Sequence, residues 1–522
     1  MKRVIAVLFV LLGTMASAGG AGAGDNDSGF KTSQAAMLTP LAAGASVTPI
    51  ITVGDTVRGY RFEAIPDGIS LDPNGQGTVD IYVNHETSTV PFPYTPGLGA
   101  ANQNDFDNAQ VSRLRLNQHS AGVLRGELII TSAENFQRFC SNYLATAKEG
   151  FERSIFFTNE ETSDTVNRTG QAWPPVAGAE QAGVVVATDV RSGDHKVIYG
   201  MGRLNHENDV AIAGYGHPVV LSGDDTFVSN PPGSQLYSYI ADSANGLWND
   251  QGDLYGFVSD NPTVDDYYDF PVGSSMSVSG HFVKLDKSAA IGDQNVLEAA
   301  SDAAHVFQFV RLEDIAYDKR PGKQNIVYIA DTGRGATSSG GNAFTSSNGR
   351  VWKLVLDPSD PNHVLSLSVL IEGDDHAVKT PGEIHQPDNV ETTPNGLYVQ
   401  EDPGGSQQFP FGSDNPGSPN FDANATTARI WRYDLAAGTM AVVAKVDQSA
   451  DEGPTDVDST TAHGALGSWE STGLVDASSV FGPGAFLVNV QAHSLWVEQA
   501  AGPDWTNKRE GGQLLLFRLP GA

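Results

Sequence analysis

From about residue 49 onward the chain alternates short β-branched and aromatic runs with clusters of Gly, Pro, Asn and Asp, the pattern of strands separated by turns. Four runs share a further feature. Asp80-Ile81-Tyr82-Val83-Asn84-His85-Glu86, Ile155-Phe156-Phe157-Thr158-Asn159-Glu160-Glu161, Val327-Tyr328-Ile329-Ala330-Asp331 and Leu397-Tyr398-Val399-Gln400-Glu401-Asp402 are largely apolar and finish on a carboxylate, an amide or a histidine. A strand buried along its length and acidic at its tip delivers oxygen ligands to one end of a sheet. Several such strands arranged radially deliver them to one point, the arrangement that hard metal ions require. Helical spacing is scarce, with one short candidate around Asn135 to Lys148. The pattern predicts an all-β fold with few short helices.

Three stretches of the C-terminal half repeat one unit. The first runs from Glu313-Asp314-Ile315 through Val327-Tyr328-Ile329 to Arg350-Val351-Trp352-Lys353-Leu354. The second runs from Pro387-Asp388-Asn389-Val390 through Leu397-Tyr398-Val399 to Arg429-Ile430-Trp431-Arg432-Tyr433, and a weaker third from Ser471-Thr472-Gly473-Leu474 to Gln513-Leu514-Leu515-Leu516-Phe517. Their spacing exceeds the roughly 40–50 residues of a usual propeller blade, so the units carry long loop insertions such as Pro403 to Thr427. Sandwiches rarely extend past about 250 residues as one domain, whereas blades add around an axis. Residues 49–522 therefore read as a single β-propeller domain with insertions.

The N-terminus changes the picture of destination. Lys2 and Arg3, the apolar run Val4 to Leu12 and the small residues Ala16-Ser17-Ala18 predict a signal peptide over 1–18, and so a secreted or periplasmic protein. Residues 19–48, rich in Gly, Ala, Ser and Thr, predict a flexible leader. No stretch approaches the roughly 18–20 apolar residues of a membrane span. With 62 Asp and Glu against 31 Lys and Arg, the net charge of -31 argues against nucleic acid and anionic membranes as partners and favours cations. Cys140 is the one cysteine, so no intramolecular disulfide forms. It reads as a buried small hydrophobe, with a thiolate ligand as the alternative.

Candidate chemistry concentrates at Asn84-His85-Glu86 and Asn205-His206-Glu207. Neither extends to the His-Glu-x-x-His of a zincin helix, and each taken alone reads as an ordinary strand end. On a strand only one member of each pair faces a shared site. Ser222-Gly223-Asp224-Asp225 and Glu313-Asp314 add acids, with Arg203 and Arg311 as the nearest cations. These arginines either neutralise their neighbours or clamp an anionic substrate.

Taken in order, Val83-Asn84-His85-Glu86, Thr158-Asn159-Glu160-Glu161, Gly202-Arg203-Leu204-Asn205-His206-Glu207, Ser222-Gly223-Asp224-Asp225, Arg311-Leu312-Glu313-Asp314, Gln386-Pro387-Asp388-Asn389 and Leu487-Val488-Asn489-Val490-Gln491 resemble the PhoX-type alkaline phosphatases. The resemblance implies a secreted six-bladed β-propeller whose channel holds iron and calcium ions and hydrolyses phosphate monoesters. It implies Glu207 and Glu313 as metal ligands with catalytic roles, Arg311 as the phosphate clamp and His206 beside the substrate. Glu86, Glu160, Glu161 and Asp388 are implied as further metal ligands, and a small phosphorylated molecule as the partner of a monomer. One departure matters: Asn159 stands where the family's Thr-Cys-Glu-Glu run carries its cysteine, and Cys140 lies outside that run. The expectation is therefore an all-oxygen calcium site, with iron doubtful. Loss of the redox metal would also suit a non-enzymatic calcium-stabilised propeller that binds a surface or partner. A propeller lactonase would share the calcium channel but would not need Arg311.

Overall fold

The computed structural model describes residues 28–86, 109–166, 180–228, 231–334, 348–374, 382–402, 416, 421, 423, 425–449, 467–499 and 508–522. Residues 1–27, which include the signal peptide read from the sequence, lie outside this set. The described residues form an all-β, propeller-like arrangement. Pro66–Gly75, Thr78–His85, Gln110–Asn117 and Val123–Ile130 make one antiparallel sheet in chain order. Phe139–Ala145, Ile155–Glu160, Val185–Asp189 and His195–Val197 make the next. A nine-stranded sheet follows. It runs outward through His206–Ala211, Val219–Asp224, Leu236–Ile240 and Asp253–Ser259, crosses Ser277–Lys284, and returns through Asp360–Glu372, Arg350–Asp357 and Ile326–Asp331 to Leu312–Tyr317. Pro387–Thr393, Gly396–Glu401, Arg429–Asp434 and Thr439–Val446 form a sheet edged by Leu38–Pro40. Trp469–Asp476, Ala485–Gln499 and Lys508–Arg518 form one edged by Ser46–Thr52.

The first strands pack in a closed ring. Pro66–Gly75 touches Phe139–Ala145, which touches His206–Ala211, and contact passes through Leu312–Tyr317, Pro387–Thr393 and Trp469–Asp476 back to Pro66–Gly75. His206–Ala211, Leu312–Tyr317 and Gly396–Glu401 are buried at every residue, whereas strands farther out such as Ser277–Lys284 alternate buried and exposed positions. Trp352 shows how tightly they meet: it is fully buried, with the rings of Tyr267, Phe270 and Phe309 edge-on at 5.6, 5.1 and 5.4 Å. The three repeats read from the sequence are the first three strands of three successive inner-to-outer runs.

Two expectations fail here. Residues 28–48 are not a flexible leader: Thr48 pairs with Leu516 and Leu38 with Val446, so N-terminal segments hydrogen-bond to strands from the C-terminal half and close the ring. Met37 and Leu38 are buried, and the Met37 N–H donates to Gln513 Oε1 at 2.9 Å. A composition poor in apolar residues suffices for an edge strand whose partner supplies the ladder. Asn135 to Lys148 is not a helix. Phe136, Phe139 and Tyr143 stand at helical spacing, but Phe139–Ala145 is an inner strand paired from Ala145↔Ile155 to Phe139↔Glu160, with single 3-10 turns at Ser132–Glu134 and Ala147–Glu149 on either side. Tertiary pairing overrides the local period.

Candidate metal centre

The ring of first strands places one side chain from each at a common point. Asp67, Cys140, Glu207, Glu313, Asp388 and Glu470 are each the second residue of their strand, and all line one cavity of about 190 Å³. Residues just past the second strands reinforce them: Glu86 follows Thr78–His85, Glu161 follows Ile155–Glu160, and Asp402 follows Gly396–Glu401. Gln491 and His493 complete the wall from Ala485–Gln499.

The donor atoms fall into linked groups, within each of which they lie no more than 4.8 Å apart: Asp67, Glu86 and Cys140; Cys140, Glu161 and Glu207; Glu207, Glu313 and Asp388; Asp388, Asp402 and Glu470. Cys140, Glu207 and Asp388 each belong to two groups, so neighbouring cations would share them. Cys140 Sγ lies 2.9 Å from Asp67 Oδ2 and 3.3 Å from Glu207 Oε1. Glu207 Oε1 also accepts from Ser141 Oγ at 2.9 Å, while Glu207 Oε2 is buried without a partner. Gln491 Nε2 donates to Asp67 Oδ2 and Glu86 Oε1, both at 2.9 Å, holding those carboxylates in register.

Burial, then neighbouring carboxylate charge, pushes Glu86, Glu207 and Asp388 well above the usual carboxylate range. Burial likewise raises Glu161 and Glu313, opposed by Arg138 and Arg311 respectively, and raises the Cys140 thiol. Glu470 is pushed up to about 8 by burial and by Asp402. This crowding is what cations relieve: the residues fit a metal centre because a buried oxygen is orphaned and the anionic donors converge.

Arg138 and Arg311 both line this cleft, and the contacts of Arg311 fix its orientation. Its Nε and Nη2 donate to the two oxygens of Asp225 at 2.8 Å each, and Nη2 lies 2.7 Å from Glu313 Oε1. No described residue accepts from its Nη1. Thr332 Oγ1 donates to Glu313 Oε1 at 2.9 Å, and the guanidinium rests 4.5 Å from the Phe227 ring centroid.

Of the residues read from the sequence, Glu86, Glu161, Glu207, Glu313, Asp388 and Arg311 gather here. Glu160 and His206 do not. Glu160 turns away and accepts from the N–H groups of Gln137 and Val184 at 2.9 and 3.3 Å. His206 is fully buried, with Nε2 3.2 Å from the Gly202 carbonyl and Nδ1 3.2 Å from Asp209. Both are corrected by strand alternation, since Glu161 and Glu207 take the cleft-facing side. Arg203 pairs with Glu180 at 2.6 Å instead of reaching the acids. Cys140 stands among the carboxylates, so the candidate donors include a sulfur, whereas Asn159 donates to the carbonyls of Ser141 and Glu207. Asp67, Asp402, Glu470 and His493 were not singled out from the sequence. For Asp67 and Glu470 the signal was the shared second position of the first strands, visible only once every first strand is aligned; Asp402 follows a second strand, as Glu86 and Glu161 do, and His493 lies within Ala485–Gln499. A larger cavity of about 300 Å³, lined by Ser141, Tyr143 and Tyr317 among others, holds the pair Lys319–Glu391 at 2.6 Å and the Tyr317 hydroxyl donating to Glu149 at 2.7 Å.

No protein-family model and no curated protein matches this sequence. Among solved structures, PhoX of Pseudomonas fluorescens, in complex with the transition state analogue vanadate, aligns with a TM-score of 0.56 at 17% identity, covering 94% of this chain and 98% of that one. The likeness establishes a PhoX-like fold. The NanB sialidase of Streptococcus pneumoniae aligns only with a TM-score of 0.38 at 6% identity, over 90% of this chain and 70% of that one, too loosely to bear on it. No helix among the described residues is long and apolar enough to cross a membrane.

Proposed function

We propose that this chain is an exported, metal-dependent phosphomonoesterase on a six-bladed propeller, the nine-stranded sheet counting as two blades joined through Ser277–Lys284. The observation that carries this reading is the juxtaposition of converging carboxylates and one thiol with Arg311, which lines the same cleft and whose Nη1 has no acceptor among the described residues. Its structural neighbour PhoX binds vanadate, a transition state analogue. The same kind of site here would receive a phosphoryl group against Arg311.

The donor set suggests how metals would distribute. Groups containing Cys140 suit a thiophilic ion such as iron, and the carboxylate-only groups Glu207, Glu313, Asp388 and Asp388, Asp402, Glu470 suit calcium. Bound cations would supply Lewis acidity toward a phosphate ester. The protein's own part is orientation and charge. Asp225 fixes the plane of the Arg311 guanidinium through two parallel hydrogen bonds, so its Nη1 donors meet a phosphoryl oxygen without reorganising. Ser141 and Thr332 hold Glu207 and Glu313 in place by single hydroxyl donors. Gln491 does the same for Asp67 and Glu86.

The test is elemental analysis of protein purified without chelator, together with phosphomonoester hydrolysis. Iron and calcium are expected with turnover, and Arg311→Ala should lower kcat/KM by about 10²–10³-fold with metal content unchanged. Bound metal without turnover on any phosphoester would replace this reading with that of a calcium-stabilised binding protein.

A further inference from the structure

Phe227, which lines the cleft, and Arg334, beside its ring, play no part in that scheme. Phe227 lies just past Val219–Asp224 and lines the cavity, yet it remains 41% exposed. Arg311 sits over its ring at 4.5 Å from the centroid, and Arg334, just past Ile326–Asp331, at 6.0 Å. Two guanidiniums thus share one aromatic ring, beside a wall that is otherwise mostly carboxylate. Burial, then the charge of Arg311, pushes Arg334 down from its ordinary value, with Asp225 opposing. An anion that reaches the Arg334 guanidinium gains forked, charge-assisted hydrogen bonds.

We infer, resting on the phosphoesterase reading above, that Phe227 and Arg334 form a leaving-group subsite that selects phosphate esters whose leaving group carries an anion of its own, a second phosphate or a carboxylate. Arg311 would hold the phosphoryl group to be transferred, and Arg334 the second anion. The exposed ring of Phe227 offers an apolar face to the carbon skeleton between them. The chemistry needs no further reactant: the oxygen of water bonds to phosphorus, the ester P–O bond breaks with its electron pair on the leaving-group oxygen, and a proton from water ends there. With a chain charge of -31, a doubly anionic substrate is favoured where arginines gather.

The test compares kcat/KM of the metal-loaded full chain with Arg334→Ala and Arg334→Lys on matched substrates: glycerol phosphate against phosphoglycerate, and a hexose monophosphate against the bisphosphate. The wild type should favour the member with the second anion by about tenfold. Arg334→Ala should erase that preference while leaving the neutral member within about twofold, and Arg334→Lys should restore part of it. Added salt should erode the preference in the wild type but not in Arg334→Ala. Loss confined to the bisphosphate, or to phosphoglycerate, identifies which anion the subsite takes. An Arg334→Ala effect equal on both members of each pair, or absent from both, overturns the subsite. Failure of the wild type to hydrolyse any of these substrates overturns the phosphoesterase reading itself, so the two failures are distinguishable.

Discussion

Glu160 engages the backbone N–H groups of Gln137 and Val184, whereas Glu161, the next residue, turns into the cleft beside Cys140 and Glu207. The same step recurs elsewhere. Glu401 accepts from His385 N–H at 2.8 Å, Arg429 N–H at 2.9 Å and Trp431 Nε1 at 2.8 Å, and forms a bidentate pair with the Arg429 guanidinium, while Asp402 lines the cleft. Asp331 accepts from the N–H groups of Arg311 and Val310 and from Trp352 Nε1, and its successor Thr332 steadies Glu313. The two rows of side chains stand one residue apart in the sequence. Donors separate them: the outer row ties the loops between strands together, and the inner row has few donors and crowds its own kind. Burial still pushes Asp331 up to about 7 against the pull of its donors. An acid at a strand tip is therefore structural or functional according to which way that tip faces.

The largest effect expected from this contrast is on stability, in the outer row. Glu401→Ala leaves the Arg429 guanidinium buried with its main partner gone and removes the acceptor for two backbone N–H groups and an indole. Loss of one partner of such a pair costs about 3–5 kcal/mol, to be read by chemical denaturation. Activity per folded molecule should persist. Low stability combined with unchanged cooperativity supports the structural role; an unperturbed midpoint would move Glu401 out of that row.

The inner row should respond in the opposite sense. Glu207→Gln is expected to lower kcat/KM by about 10²–10³-fold, since it weakens an oxygen donor shared by two ligand groups. In chelated protein the same substitution should leave the melting temperature equal or higher, because burial and the neighbouring carboxylates disfavour the charged form that a glutamine cannot take. A variant destabilised as severely as Glu401→Ala would erase the distinction between the rows.

How much of this was legible depends on the length scale asked of the sequence. The apolar strand runs with acidic ends and the repeated Trp-bearing strands revealed an all-β, propeller-like chain, because burial on both faces leaves a composition signal that survives long loops. The ordered resemblance brought Glu86, Glu161, Glu207, Glu313, Asp388 and Arg311 into one list. The choice between neighbours was not legible, since Glu160 against Glu161 and His206 against Glu207 turn on register, which tertiary pairing sets. Cys140 was obscured for a related reason. Reading Asn135 to Lys148 as a helix hid the fact that Cys140 holds the same strand position as Glu207 and Glu313.

Removing metal tests the inner row as a whole. A ligand that binds only the native state stabilises it by about 2.7 kcal/mol at a concentration of a hundred times its Kd. Excess chelator should therefore lower the melting temperature by several degrees. The drop should shrink in Cys140→Ser and Glu207→Gln, which sit at shared donor positions, and remain in Arg334→Ala. An identical melting curve with and without chelator would mean that the carboxylates do without cations.

The smallest expected effect is the pH dependence left once the metal is gone. Glu470 is held up to about 8 in the folded protein by burial and by Asp402, against an ordinary value near 4.5. Between those values the native state keeps a proton that the unfolded chain has released, so stability falls as pH rises through this window and is restored on acidification. His493, between Glu510 at 3.0 Å and Glu470 at 3.4 Å, is raised well above its ordinary value. A raised histidine contributes fully below its unfolded pKa and loses that contribution as pH climbs through the folded one. Both groups thus act in the same direction. Chelated protein should melt a few degrees higher at pH 5 than at pH 8, and Glu470→Gln should flatten the slope. With metal bound the order should reverse, because protons then compete with cations for the same oxygens. A chelated protein that gains stability toward pH 8 would show that the cleft acids are ionised and compensated by protein donors, which would place the inner row with the outer one.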